Sequence, residues 1–168
     1  ALLRGDLAES FAQLSRAAEI GMALGNPTLL RCEVDLVEVL IRLGRHREAK
    51  QALLRLESRS VGLRSPWLVT AVARSRAMLA DGEQSLQLFS QALAGRTAQD
   101  SVLERGRTLV CYAERLRAFG RVREAHNTLS HAKVLFDEVG AGAWTQHVDA
   151  LLIADQAEPV YAHGSSAM

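Results

Sequence analysis

The sequence is poor in most of the residues that announce a specialised chemistry. It has two cysteines, Cys32 and Cys111, far apart and each inside a helical pattern. That is no disulfide framework, and both read as reduced, buried thiols of a cytoplasmic protein. Prolines are three, at Pro27, Pro66 and Pro159, and none interrupts a periodic segment. Aromatics make up only 5% of the chain, so a core must be built from Leu, Ala and Val. Lysine occurs only at Lys50 and Lys133. The net charge is +1, with no basic excess of the kind a nucleic-acid surface needs. No apolar run approaches the roughly 20 residues needed to span a bilayer. The opening ALLRGDLAES turns polar at once, unlike a signal peptide, and it carries no initiator Met. We therefore expect a piece of a larger protein with no membrane partner.

Catalytic and metal motifs are missing as well. The histidines are His46, His126, His131, His147 and His163. His126 and His131 are five apart and do not share a helical face. There is no H-E-x-x-H and no C-x-x-C, and with no Gly-Lys pair there is no phosphate-binding loop. The expectation is a non-catalytic protein with no cofactor and no metal.

What the sequence does contain is a repeat. GDLAES (5–10), GRHREA (44–49), ADGEQS (80–85) and GRVREA (120–125) begin at spacings of 39, 36 and 40. Five residues after each start stands a small residue: Ser10, Ala49, Ser85, Ala125. Four further on stand Leu14, Leu53, Phe89 and Leu129, and three beyond them Ala17, Leu56, Ala92 and Ala132. Steps of four and three keep the columns on one helix face. Small residues let two helices approach, and the large ones fill the space beside them. Gly5, Gly44 and Gly120 suit the left-handed turn that ends a helix, with Gly82 standing in where the column has Ala80. Turn and cap residues between these points, including Ser65, Asp100, Pro27 and Pro66, complete the segmentation.

The predicted helices are 6–24, 27–43, 46–60, 66–79, 83–95, 100–118, 122–138 and 143–156. Short connections make neighbours antiparallel. The fold class expected is all-α: a right-handed superhelix of antiparallel helix hairpins, about four repeats, over 1–156. Residues 157–168 read as a flexible tail or linker.

The columns resemble the second-helix signature of tetratricopeptide repeats, although the spacing is longer than that family's period of about 34. The first-helix signature is poorly kept, with Val37, Ala73 and Ala113 where glycine is common in the family. Residues 103–152 carry a narrower resemblance, to the last helical repeat of the large ATP-binding LuxR-type (MalT-like) bacterial transcriptional regulators. It rests on Glu104, Arg105, Arg107, Thr108, Leu109, Tyr112, Glu114, Leu116, Arg117, Gly120, Arg121, Glu124, Ala125, Leu129, Ala132, Phe136, Gly140, Ala141 and Trp144. The resemblance implies the sensor or coupling region of a transcription regulator. Its partner would be a protein, a peptide or a small effector. DNA would be contacted only through a helix-turn-helix domain outside this chain.

In a tetratricopeptide fold the first helix of each pair lines the inner groove. Counting back from Gly44, Ala80 and Gly120 gives three columns: Arg31, Trp67, Arg107; Glu38, Arg74, Glu114; and Arg42, Met78, Ala118. Arg31, Trp67 and Arg107 suggest a cation–π stack, or an anchor for an acidic or aromatic ligand. Glu38, Arg74 and Glu114 alternate in sign, so successive repeats could pair their charges. With Arg42 and Arg117 these are the candidate groove residues. The plainer alternative, which the sequence favours, is a solvated face with weak surface pairs. Direct nucleic-acid binding through Arg31, Arg42, Arg74, Arg107 and Arg117, or a small helical enzyme, are the other classes left open. The apolar face of the first helix (Leu7, Phe11, Leu14, Ala18, Met22) should seek cover, so a homodimer is expected to be possible. Trp144, Val148, Leu151 and Leu152 should pack as a cap.

Overall fold

The computed structural model describes residues 6–25, 29–63, 65–94 and 101–157, and all its regular structure is helical. Among the described residues eight helices follow one another: α1 (Leu7–Leu24), α2 (Leu30–Arg42), α3 (His46–Ser60), α4 (Pro66–Leu79), α5 (Gly82–Ala94), α6 (Val102–Ala118), α7 (Val122–Glu138) and α8 (Gly142–Ala157). Among the described residues no helix is long and apolar enough to cross a membrane. Pro27 and Asp100, Gly5 at the head of the first repeat, and the tail beyond Ala157 lie outside the described residues.

Local chemistry sets the ends. Asp6 caps α1 by accepting from the Glu9 N–H at 3.0 Å, and Pro66 opens α4 where a missing N–H costs nothing. Ser65 holds the cap position of α4 but makes no side-chain cap bond. At α6 the cap is Ser101, accepting from the Glu104 N–H, one residue beyond the predicted Asp100.

The two GR-x-R-E-A segments build the same turn. Gly44 and Gly120 have φ of 73° and 72°, a region where a side chain is strained. The Arg45 N–H reaches back to the Leu40 carbonyl, and the Arg121 N–H to the Leu116 carbonyl, both at 2.9 Å. This closes the last turn of α2 and of α6 in the Schellman manner. In the third repeat Gly82, φ 55°, takes the left-handed position and Ala80 stays extended, as expected.

The repeat columns lie inside. Ser10, Ala49, Ser85 and Ala125 are all at most 1% exposed. Leu53, Phe89 and Leu129 are buried beside them, as are Leu56 and Ala132, while Leu14, Ala17 and Ala92 are half-buried. Each buried hydroxyl of the small column finds a carbonyl: Ser10 donates to Asp6 and Ser85 to Ala77, both at 2.6 Å.

Each helix packs on the next in sequence, and α2 also packs on α4, and α4 on α6. One apolar core joins α1 to α4 around Val34, Val37 and Leu56. A second joins α5 to α8 around Leu116, Leu129 and Phe136. A small cluster of Ala77, Met78, Phe89 and Cys111 connects them. α6 approaches α7 closely, and a Cβ at Gly106 would stand 2.6 Å from the Phe136 ring. The face of α1 expected to need cover is packed on the first core through Phe11, Leu14 and Ala18, and only Met22 of that set is well exposed. The packing of α2 on α1 supplies the cover from within the chain. On α8, Val148 is fully buried and Trp144, Leu151 and Leu152 pack on the second core, Trp144 stacked on Phe136 at 5.3 Å.

Candidate functional site: a charge ladder across three helices

The inner columns meet where α2, α4 and α6 come together. Glu38 is 2% exposed, Arg74 1%, Glu104 1% and Arg107 9%. The expectation of a solvated charged face is therefore corrected. Charged groups face each other across repeats, and their mutual neutralisation lets the helices close over them. Burying one such charge alone costs several kcal/mol, so the cluster is tolerable because each charge faces an opposite one, although Arg74 Nη2 and Arg107 Nε are buried with no hydrogen-bond partner among the described residues.

Glu38 is the hub. Its Oε1 accepts from Arg42 Nε at 3.1 Å and its Oε2 from Arg107 Nη2 at 2.9 Å, with Arg74 Nε 4.0 Å away. Burial alone would raise the Glu38 carboxyl; Arg107, Arg74 and Arg42 outweigh it and hold the pKa at about 2. Arg74 donates to Glu104 Oε2 at 2.7 Å. Arg107 also donates to Asp35 at 2.6 Å and lies 3.5 Å from Glu104. Arg42 closes the far end with two parallel bonds to Glu114, each 3.1 Å. The guanidinium groups of Arg42 and Arg107 are held more firmly protonated than usual. Burial opposes this and the facing carboxylates overcome it. Arg31, on the exposed side, reaches Glu104 at 3.7 Å. Asp35, Glu38, Glu104 and Glu114 thus balance Arg31, Arg42, Arg74 and Arg107 in formal charge.

Four bridges in the ladder, Arg107 to Asp35 and to Glu38, Arg42 to Glu114 and Arg31 to Glu104, run directly between α6 and α2. The groove expected between these helices is filled there by the protein's own side chains. Glu38, Arg74 and Arg107 are enclosed too fully to touch a ligand. Arg42 and Glu114 remain part-exposed, with 26% and 32% of their side-chain surface accessible, and Arg31 is open.

The Arg–Trp–Arg column divides into two contacts. Arg31 lies over Trp67 at 4.3 Å, as the spacing suggests, but Arg107 faces Trp144 of α8 at 5.3 Å. Arg107 is held there by the carboxylates of Asp35, Glu38 and Glu104. Arg117 stands apart from the ladder and donates to the Leu151 carbonyl on α8 at 2.7 Å. Column counting missed Asp35 and Glu104, because acid does not recur in their columns: the positions equivalent to Glu104 hold Thr28 and Arg64. The legible signal was helical spacing, since Asp35 and Glu104 each stand three residues before a ladder member, Glu38 and Arg107.

Cys111 is buried at the end of the ladder, with Arg42 Nη2 4.0 Å from its sulfur. Burial first, then the carboxylates of Glu38 and Glu114, push its thiol up to about 12, so it is a poor nucleophile at neutral pH. Cys32 is only half-buried, less than expected. Among the described residues no group of three His, Cys, Asp or Glu side chains is placed to hold a metal ion. The arrangement is chemistry of support: it ties three helices together and offers no nucleophile–base pair. No protein-family model matches this chain, and a comparison with curated proteins finds no match either.

Proposed function

We propose that the helices are successive hairpins of a right-handed, tetratricopeptide-like superhelix of about four repeats, and that the chain is a non-catalytic scaffold. It binds a protein partner, a peptide or a small effector as the sensor or coupling region of a cytoplasmic, LuxR-type bacterial transcription regulator. The observation that carries this reading is the ladder itself. It couples α2 to α6 through paired charges 69 to 72 residues apart in sequence, and α4 to α6 through Arg74 and Glu104. A disturbance at one hairpin is thereby felt by helices two repeats away, which is what a relay needs. The pattern of packing, α2 on α4 and α4 on α6, is the one that stacked hairpins produce. The regulator assignment is supported by the resemblance of residues 103–152. Arginines committed to carboxylates are poorly available to phosphates, which weighs against direct nucleic-acid binding.

The test is the coding sequence on either side of these codons. A phosphate-binding loop upstream and a helix-turn-helix downstream are expected. A reading frame with neither overturns the regulator assignment.

A further inference from the structure

Beyond the ladder's Arg42–Glu114 end, α2, α4, α5 and α6 line a half-open cavity of about 190 Å³. Its apolar lining comes from four elements: Ile41 of α2, Met78 of α4, Phe89 of α5 and Cys111 of α6. Phe89 is braced from behind by Tyr112, their ring centroids 5.5 Å apart. Ala118, exposed at the end of α6, is part of the lining, so the cavity meets solvent there. An apolar cavity of about 150 Å³ accommodates a benzene ring, so this one has room for one six-membered ring.

The polar side of the cavity is unevenly balanced. Arg42 is spoken for, its donors directed to Glu38 and Glu114. Arg115 also lines the cavity and is half-buried. It donates through one Nη2 to the Met78 carbonyl at 2.9 Å. Among the described residues no carboxylate is within ion-pair reach of it, in contrast to Arg42, Arg74 and Arg107. A guanidinium withdrawn from water beside an apolar wall is favourable when an anion meets its remaining N–H groups.

We propose that this cavity binds a small monocarboxylate whose apolar body is about the size of one six-membered ring. The carboxylate lies on Arg115 at the mouth. The body lies among Ile41, Met78 and Phe89, where thioether and ring faces suit a flat or branched hydrocarbon. Glu114 at the same rim disfavours a dianion. Such a ligand touches α2, α4, α5 and α6 at once, beside the ladder that couples them. The assignment deepens the effector-binding reading given above and rests on it for its biological meaning.

The test is titration of the full chain with benzoate, followed by calorimetry and by the NMR signals of the methionine methyl groups. Benzamide, the neutral isostere, is the control. Saturable benzoate binding is expected with a dissociation constant near or below about 1 mM, and with a shift of the Met78 methyl. Benzamide and the R115Q variant should each weaken binding at least ten-fold, the loss of one charge-assisted contact. A118W, which fills the mouth from an exposed position, should abolish it while leaving the helical circular dichroism and melting unchanged. Benzoate that fails to saturate, or that binds R115Q and A118W as well as the parent chain, overturns the assignment. If benzoate fails while the flanking sequence encodes the ATPase and DNA-binding modules, the sensor reading stands and the cavity assignment falls. Binding without those modules gives the converse.

Discussion

Arginine meets glutamate in two settings in this molecule, three residues apart in water and between helices out of it. At the turns that open α3 and α7, Arg45 pairs with Glu48 at 2.7 Å and Arg121 with Glu124 at 2.6 Å, all four side chains well exposed. In the seam of α2, α4 and α6, Arg74 pairs with Glu104 at the same 2.7 Å with neither accessible. Distance is no guide to consequence here. In the exposed pairs each partner is well solvated without the other, so removing one leaves nothing stranded. In the seam, removing one member leaves an uncompensated charge in a medium that cannot hydrate it. The repeated motif GR-x-R-E-A therefore marks a turn, and the non-repeating acids Asp35 and Glu104 mark the joint.

The largest effect that would break this contrast is at the seam. Arg74→Ala should destabilise the chain by about 3–5 kcal/mol, as stranded buried charges do. Urea denaturation measures it, and a loss no greater than that of an exposed pair would remove the distinction. Gly106→Ala comes next. Its Cβ would meet the Phe136 ring at 2.6 Å, so α6 and α7 must part. A loss of about 1–3 kcal/mol is expected, with changed near-ultraviolet dichroism from the stacked Phe136–Trp144 pair.

Acid sharpens the comparison further. The Glu38 carboxyl is depressed from 4.5 to about 2 in the folded chain. Its contribution to stability is therefore fully present above the ordinary value and is lost as pH falls from 4.5 towards 2. Melting temperature should drop across that window, and Glu38→Gln should flatten the drop while lowering stability at neutral pH. The smallest effect is predicted for Glu48→Gln and Glu124→Gln, whose melting curves should overlay that of the parent chain.

Much of the fold was legible in the sequence because helix ends are local chemistry. Glycines that adopt the left-handed turn, the proline at the head of α4 and the small-residue columns are each decided within a few residues. Helix bounds accordingly fall within three residues of those predicted. The seam was legible only in part. Glu38, Arg74, Arg107 and Glu114 could be picked out as a column set, yet periodicity gives the face a residue occupies and not what lies opposite. A charged column facing solvent and one facing a matched column have the same spacing. Whether they close depends on acids contributed from other columns, and on Arg42 and Arg107 spanning from α2 to α6. The division of the Arg31–Trp67–Arg107 column has the same origin, since the carboxylates that hold Arg107 stand in other columns.

The order of charges along the joint also fixes how the pieces may slide. Moving α6 along α2 by one turn, about 5.4 Å, would carry Glu104 towards the place now held by Arg107, opposite Asp35 and Glu38. Acid would then confront acid, and Cys111 or Arg107 would be left facing nothing suited to it. Apolar slots filled by Leu and Ala tolerate such a slip far better, since one aliphatic contact much resembles another. Hairpins this alike could otherwise dock in several near-equivalent offsets, and the alternating signs act as the teeth that permit one alignment.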